Sequence, residues 1–199
     1  MKLYQHLHTI NGHKRLVMKH CYRCGLYKQA WLHDLSKYSF VEFKVGVKYY
    51  QGYRSPNAAE REATGFSLAW LHHKGRNKHH FEYWIDYSRN PNEGIVGNEM
   101  PLCYVLEMFC DRVAASKNYL KGKYNDQAPL EYFTKERAKY IMHKNTDAML
   151  YDLLCMLSEQ GEDATFEFIK NKLVIPLKKR NDFWTYRLPS LNDYEKLFL

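Results

Sequence analysis

His33 and Asp34 stand side by side in the stretch W-L-H-D-L-S-K-Y (31–38), with Lys37 three residues on. An imidazole beside a carboxylate is either part of a metal site or an accident of neighbours, and the rest of the chain decides which. Ten histidines occur in 199 residues. His6, His13 and His20 recur at intervals of seven, which puts them on one face of a straight helix. Successive members of that row stand about 10 Å apart along the axis, so one metal site can use only one of them. The other two are then surface or core histidines.

A denser group follows in L-H-H-K-G-R-N-K-H-H-F-E-Y-W (71–84), where the doublets His72-His73 and His79-His80 flank Gly75, with Asn77 between them and Glu82 behind. A glycine turn can fold such doublets onto one point, and imidazoles with carboxylates suit zinc, iron, manganese or nickel. Asp111 lies in the apolar run V-L-E-M-F-C-D-R-V-A-A, four residues after Glu107 and just before Arg112. A carboxylate there lies on a polar face or is buried with a partner, because an unpaired buried charge is too costly. A salt bridge and a metal ion both satisfy that need.

The elements that must position these groups read as helices. Apolar spacing over 2–28 suits one or two helices broken near Asn11-Gly12, with a turn at Gly25. A short helix or turn then carries His33-Asp34, and Ser36 or Ser39 caps the next helix. Ser55-Pro56-Asn57 starts a helix over about 58–74 that ends at Gly75. Residues 88–98 read as loop, and Pro101 opens a strong helix that ends near Gly122. Helical stretches follow at about 131–143, 146–159 and 163–174. Residues 176–199 form a tail expected to pack through Phe183, Trp184, Leu197 and Phe198. The reading is one all-α domain over 1–199, with the metal-site core at about 6–120 and helices and tail over 121–199.

The hydrophobic fraction of 45% supports a real core. No apolar run approaches the roughly 20 residues a membrane span needs. The N-terminal stretch lacks the apolar block of a signal peptide, so a cytoplasmic protein is expected. Five cysteines, including a lone C-x-x-C at Cys21 and Cys24, fit ordinary thiols in a reducing compartment better than a disulfide framework. The net charge of +8 favours an anionic partner, more simply a small substrate than nucleic acid, for which no binding motif is present. A homo-oligomer is compatible with the aromatic-rich tail.

In order, the pattern is His, His-Asp, two clusters of His, then Asp. It resembles the HD-domain superfamily of metal-dependent phosphohydrolases, and within it small uncharacterised bacterial and phage proteins bearing H-D-L-S-K and a later H-H…N-x-H-H-x-E. The resemblance covers about residues 6–120 and implies an HD-like helical bundle holding divalent metal ions, two in the dinuclear members, with Mn, Fe, Zn, Ni and Mg undistinguished. Its implied ligands are His13 (or His20), His33, Asp34, His72 or His73, His79 or His80, and Asp111, with Asp34 as the natural bridge. Lys37 would bind phosphate or brace Asp34. His79, Asn77, Glu82 and Arg112 are placed with Lys37 as groups that neutralise developing charge or orient ligands and water. The missing G-Y-P signature argues against a cyclic dinucleotide. The implied activity is hydrolysis of a nucleotide or other small phosphoester. A di-iron oxygenase on the same scaffold, or a non-catalytic protein that binds metal or a nucleotide, are the alternatives.

Overall fold

In the computed structural model, which describes residues 1–198, the first 24 residues do not break at Asn11-Gly12: α1 runs unbroken over Lys2–Cys24. Ile10, His13, Val17, His20, Cys21 and Cys24 lie on its buried face, mostly three or four apart. That face packs on α6 (Leu102–Leu120), with Gly12 beside Asn118, and this burial overrides the weak helix propensity of Asn-Gly.

Gly25 ends the helix in a left-handed conformation (φ 78°), with its N–H donating to Tyr22 O and the N–H of buried Leu26 donating to Cys21 O. This pair of bonds is a Schellman turn, and it needs a residue that tolerates positive φ. The reversal lays the short α2 (Tyr27–Leu32) back against α1 and delivers His33-Asp34 to a 3-10 turn over Leu35–Tyr38.

Ser39, rather than Ser36, caps α3 (Phe40–Lys48), its hydroxyl accepting from Glu42 N. The expected helix at 58–74 is two. Ser55 and Pro56 start α4 (Pro56–Thr64), Gly65 at φ 85° ends it, and Ser67 caps α5 (Leu68–Lys74) by accepting from Trp70 N. Part of the loop expected at 88–98 belongs to a small antiparallel hairpin, Ile85–Tyr87 against Ile95–Gly97, with Asp86 opposite Val96.

Helix α6 is the axis of the molecule. Leu106, Phe109, Cys110 and Val113 are fully buried between α1 and α8 (Lys144–Phe168), which follows α7 (Ala128–Arg137) and is interrupted at Gly161 (φ 78°, ψ 174°). The fold is all-α apart from the hairpin. The five cysteines are free thiols, four of them buried. In the tail, Leu197 is buried and Phe183 packs on the core, but Phe198 is 62% exposed and anchors nothing. Trp184 is also largely outside the core and meets Phe183 edge-on. Among the described residues no helix is long and apolar enough to cross a membrane.

His20 is sealed between α1 and α6, its Nδ1 3.2 Å from the Cys110 carbonyl and its ring 5.1 Å from that of Phe166. Burial depresses its pKa to about 4. Between pH 6.5 and 4 the unfolded chain therefore takes up a proton that the folded chain refuses, and stability falls as the pH falls through that window. Urea unfolding of the wild type and of His20→Gln at pH 7 and pH 5 should show the variant losing about 2 kcal/mol less between the two pH values.

Candidate metal centre

Asp34 sits at φ 55°, a left-handed conformation that a non-glycine residue adopts at a cost of about 1–2 kcal/mol. Lys14 secures the approach to it by donating to the carbonyls of Trp31 and His33. The turn sends the Asp34 side chain into the interior, where it is 3% exposed, and splits its two oxygens between two sets of neighbours. Oδ2 faces His33 Nε2 at 3.2 Å and His13 Nε2 at 3.9 Å. Oδ1 faces His73 Nε2 at 3.3 Å and His79 Nε2 at 3.4 Å.

Two four-residue groups result, His13, His33, Asp34 and Asp111 on one side, and Asp34, His73, His79 and His80 on the other. In the first, Asp111 Oδ1 is 2.9 Å from His13 Nε2 and 3.5 Å from His33 Nε2. In the second, the Nε2 atoms of His73 and His80 are 2.9 Å apart. Ligand atoms about 2.1 Å from one ion lie about 3 Å apart in octahedral and about 3.4 Å apart in tetrahedral geometry. The spacings match apart from the 3.9 Å between His13 and Asp34, and the donor set of imidazoles and carboxylates is one that divalent transition metals accept. His13 Nε2, His33 Nε2, His79 Nε2 and both Asp34 oxygens are buried without a partner in hydrogen-bonding geometry. Buried polar atoms that converge on one another in this way are what a bound cation would satisfy.

The outward nitrogens are held by carboxylates. Glu107 Oε1 accepts from His33 Nδ1 at 3.0 Å and from His79 Nδ1 at 3.1 Å. Glu42 Oε2 accepts from His73 Nδ1 at 2.8 Å. With Nδ1 carrying the proton, each Nε2 is free to face the centre. The grouping of His33, His79 and Glu107 is thus explained by these hydrogen bonds without a third ion. Asn77 Nδ2 donates to Ser36 Oγ and to the His73 carbonyl, both at 2.8 Å, and fixes the end of α5 on which His73 stands. Lys37 Nζ is 2.5 Å from Asp34 Oδ2, so it braces the aspartate.

Charge follows geometry. Burial alone would raise the Asp34 and Asp111 pKa values, but His33 and Lys37 beside the first, and His13 and His33 beside the second, hold both well below the carboxylate range. Burial alone would lower His33 and His79, but Asp34, Asp111 and Glu107 hold His33 well above its usual value, and Glu107 and Asp34 raise His79 to about 9. A metal ion would displace those protons, so loading releases protons and strengthens as the pH rises.

The candidate residues fall differently about these two groups. His20 stands outside both groups, its Nδ1 3.2 Å from the Cys110 carbonyl, whereas His13 stands in the first. His72 belongs to neither group, because its Nδ1 is turned to Glu42 Oε1 at 2.6 Å. His79 shares the second group with His80. Glu82 and Arg112 stand outside both groups, on the wall of the adjoining cavity. Glu107 and Glu42 went unrecognised in the sequence. Glu107 carried a signal, since it precedes Asp111 by one helical turn in an apolar run, whereas Glu42 reads as an ordinary acid in a first helical turn.

Dialysis against buffered free metal followed by elemental analysis checks these assignments. His72→Gln should keep the wild-type metal content and His73→Gln should lose one of two ions. Glu107→Gln should weaken binding by about 10–100-fold. Equal loss in the two histidine variants would overturn the division of the doublet.

Among known proteins, no curated protein and no solved structure matches the chain. A family model described as a family of unknown function, DUF5662, matches residues 2–156, a span that contains every residue of both groups. The chain belongs to that family.

Proposed function

We propose that the protein is a metal-dependent phosphohydrolase of the HD-domain type, acting on a nucleotide or another small phosphoester. The observation that carries this reading is the Asp34 carboxylate shared by two ligand groups that open on a cavity of about 540 Å³. A pocket of that size accommodates a small organic ligand. His13, Asp111, His73 and His80 line it, so both groups are reached from one side.

Two divalent ions held there would bind phosphoryl oxygens and lower the pKa of a water for attack. The chain's own groups do the rest. Lys37 fixes Asp34 and adds positive charge at the cavity floor. Arg112 lies over the rings of Phe133 at 5.2 Å and Tyr140 at 5.5 Å, and no carboxylate within ion-pair distance is found for it among the described residues. Its Nε is buried without a hydrogen-bond partner, so the guanidinium is preorganised for an anionic ligand. Glu82 Oε2 is also buried and unpartnered, ready to accept a hydrogen bond from a water or a substrate hydroxyl. The net charge of +8 supports attraction of an anion.

Metal-loaded protein should hydrolyse members of a panel of nucleotides and aryl phosphoesters. Asp34→Asn should reduce turnover at least about 100-fold, and Arg112→Ala should act mainly on KM. No turnover with a full complement of any divalent metal would sink the hydrolase reading. Iron as isolated, with a spectrum that changes under dioxygen, would instead favour the oxygenase.

A further inference from the structure

His6 lines the same cavity as His13 but takes no part in the chemistry proposed above. It stands on the same face of α1, seven residues and so about 10 Å along the axis from the ligand His13. The residue is only 6% exposed, and its Nδ1 is buried without a hydrogen-bond partner. The ring lies 5.4 Å from that of Phe43 and edge-on to Tyr50 at 5.8 Å. Its other edge rests on α3 at Gly46, where an added Cβ would fall 2.1 Å from Nε2. Only a bare backbone lets the imidazole occupy that place.

Packing alone does not account for this arrangement. An unpaired buried imidazole opposes folding, and an apolar side chain would fill the space between Phe43 and Tyr50 without that penalty. Burial first, and the Lys37 charge second, hold its pKa below the usual histidine value, so near neutral pH the ring is uncharged. It then has one nitrogen to donate and one to accept. Between His6 and the metal groups the wall is Thr9 and Ile10, with the Thr9 hydroxyl already engaged by Tyr50 at 2.8 Å.

We infer that His6 is a specificity-determining contact, hydrogen-bonding a neutral polar group, the base or sugar of a nucleoside monophosphate, at the end of the cavity away from the metal groups. This rests on the phosphohydrolase reading for the placement of the phosphate. A nucleoside monophosphate spans from one end to the other, whereas inorganic phosphate reaches only the ligand groups. His6 thereby separates nucleotides from short phosphoesters, and Gly46 holds it in place.

The test compares binding of inorganic phosphate with binding of purine and pyrimidine nucleoside 5′-monophosphates to full-length, metal-loaded protein by calorimetry. Metal content is measured in parallel. Wild type should bind at least one nucleotide ten or more times tighter than phosphate. His6→Phe should bring that ratio close to one with metal content and phosphate affinity unchanged, and His6→Gln, which restores a donor and an acceptor, should recover most of it. A ratio unchanged in His6→Phe, a ratio near one in the wild type, or parallel loss of phosphate and metal binding in both variants would overturn the inference. Binding needs no turnover. A protein that hydrolyses nothing yet shows the His6-dependent ratio refutes the hydrolase reading and keeps the contact.

Discussion

The Asp34 carboxylate is the group on which the centre depends, because its two oxygens are turned to different sets of imidazoles. An aspartate in an ordinary helical or extended conformation at this turn would not leave His33 and its own side chain pointing into the same interior. The left-handed conformation achieves that, and it persists because its surroundings over-determine it. The Schellman turn at Gly25 returns the chain, Lys14 grips the carbonyls before it, and Lys37 braces the carboxylate after it. Asp34, Asp111 and Glu107 are gathered among imidazoles in one buried region, and leaving any of them uncompensated would cost more than the backbone strain.

The outer carboxylates decide which histidines serve. Glu42 accepts from both His72 and His73, yet only His73 also faces Asp34. Neighbours on a helix point about 100° apart, so the two rings meet the Glu42 carboxylate at different oxygens and only that of His73 reaches Asp34. His79 and His80 lie in a turn beyond α5, with His80 at φ −86° and ψ 125°, and that backbone directs both rings to the same group. Two doublets that look alike in the sequence thus behave differently because one is helical and the other is not.

Much of this was legible from residue types and spacing. The His-Asp pair, the position of Asp111 and the helix starts at Ser39, Ser55 and Pro101 followed from local chemistry that the fold preserves. Breaks were less legible. Asn11-Gly12 signals a stop, but packing of α1 on α6 carries the helix through it, whereas Gly65 adopts positive φ and splits a helix whose flanks both read as helical. The outer carboxylates were hidden for another reason. Glu42 and Glu107 are far in sequence from most of the histidines they hold, and only the crossing of α3, α5 and α6 brings them near.

The row His6, His13 and His20 shows what periodicity does and does not determine. A shared face made all three bury, and the roughly 10 Å between successive members allowed only one to join the metal groups. The partner helix distinguishes two of them, since α6 offers a carbonyl to His20 and a carboxylate to His13. His6 is met instead by the bare backbone of Gly46 and by two aromatic rings, none of which supplies a hydrogen-bond partner. One residue type on one face therefore acquires three environments: a sealed neutral core group, a member of a candidate metal group, and a buried imidazole whose Nδ1 has no hydrogen-bond partner. On the proposed phosphohydrolase reading, the helix that carries His13 also sets the distance between a bound phosphate and His6.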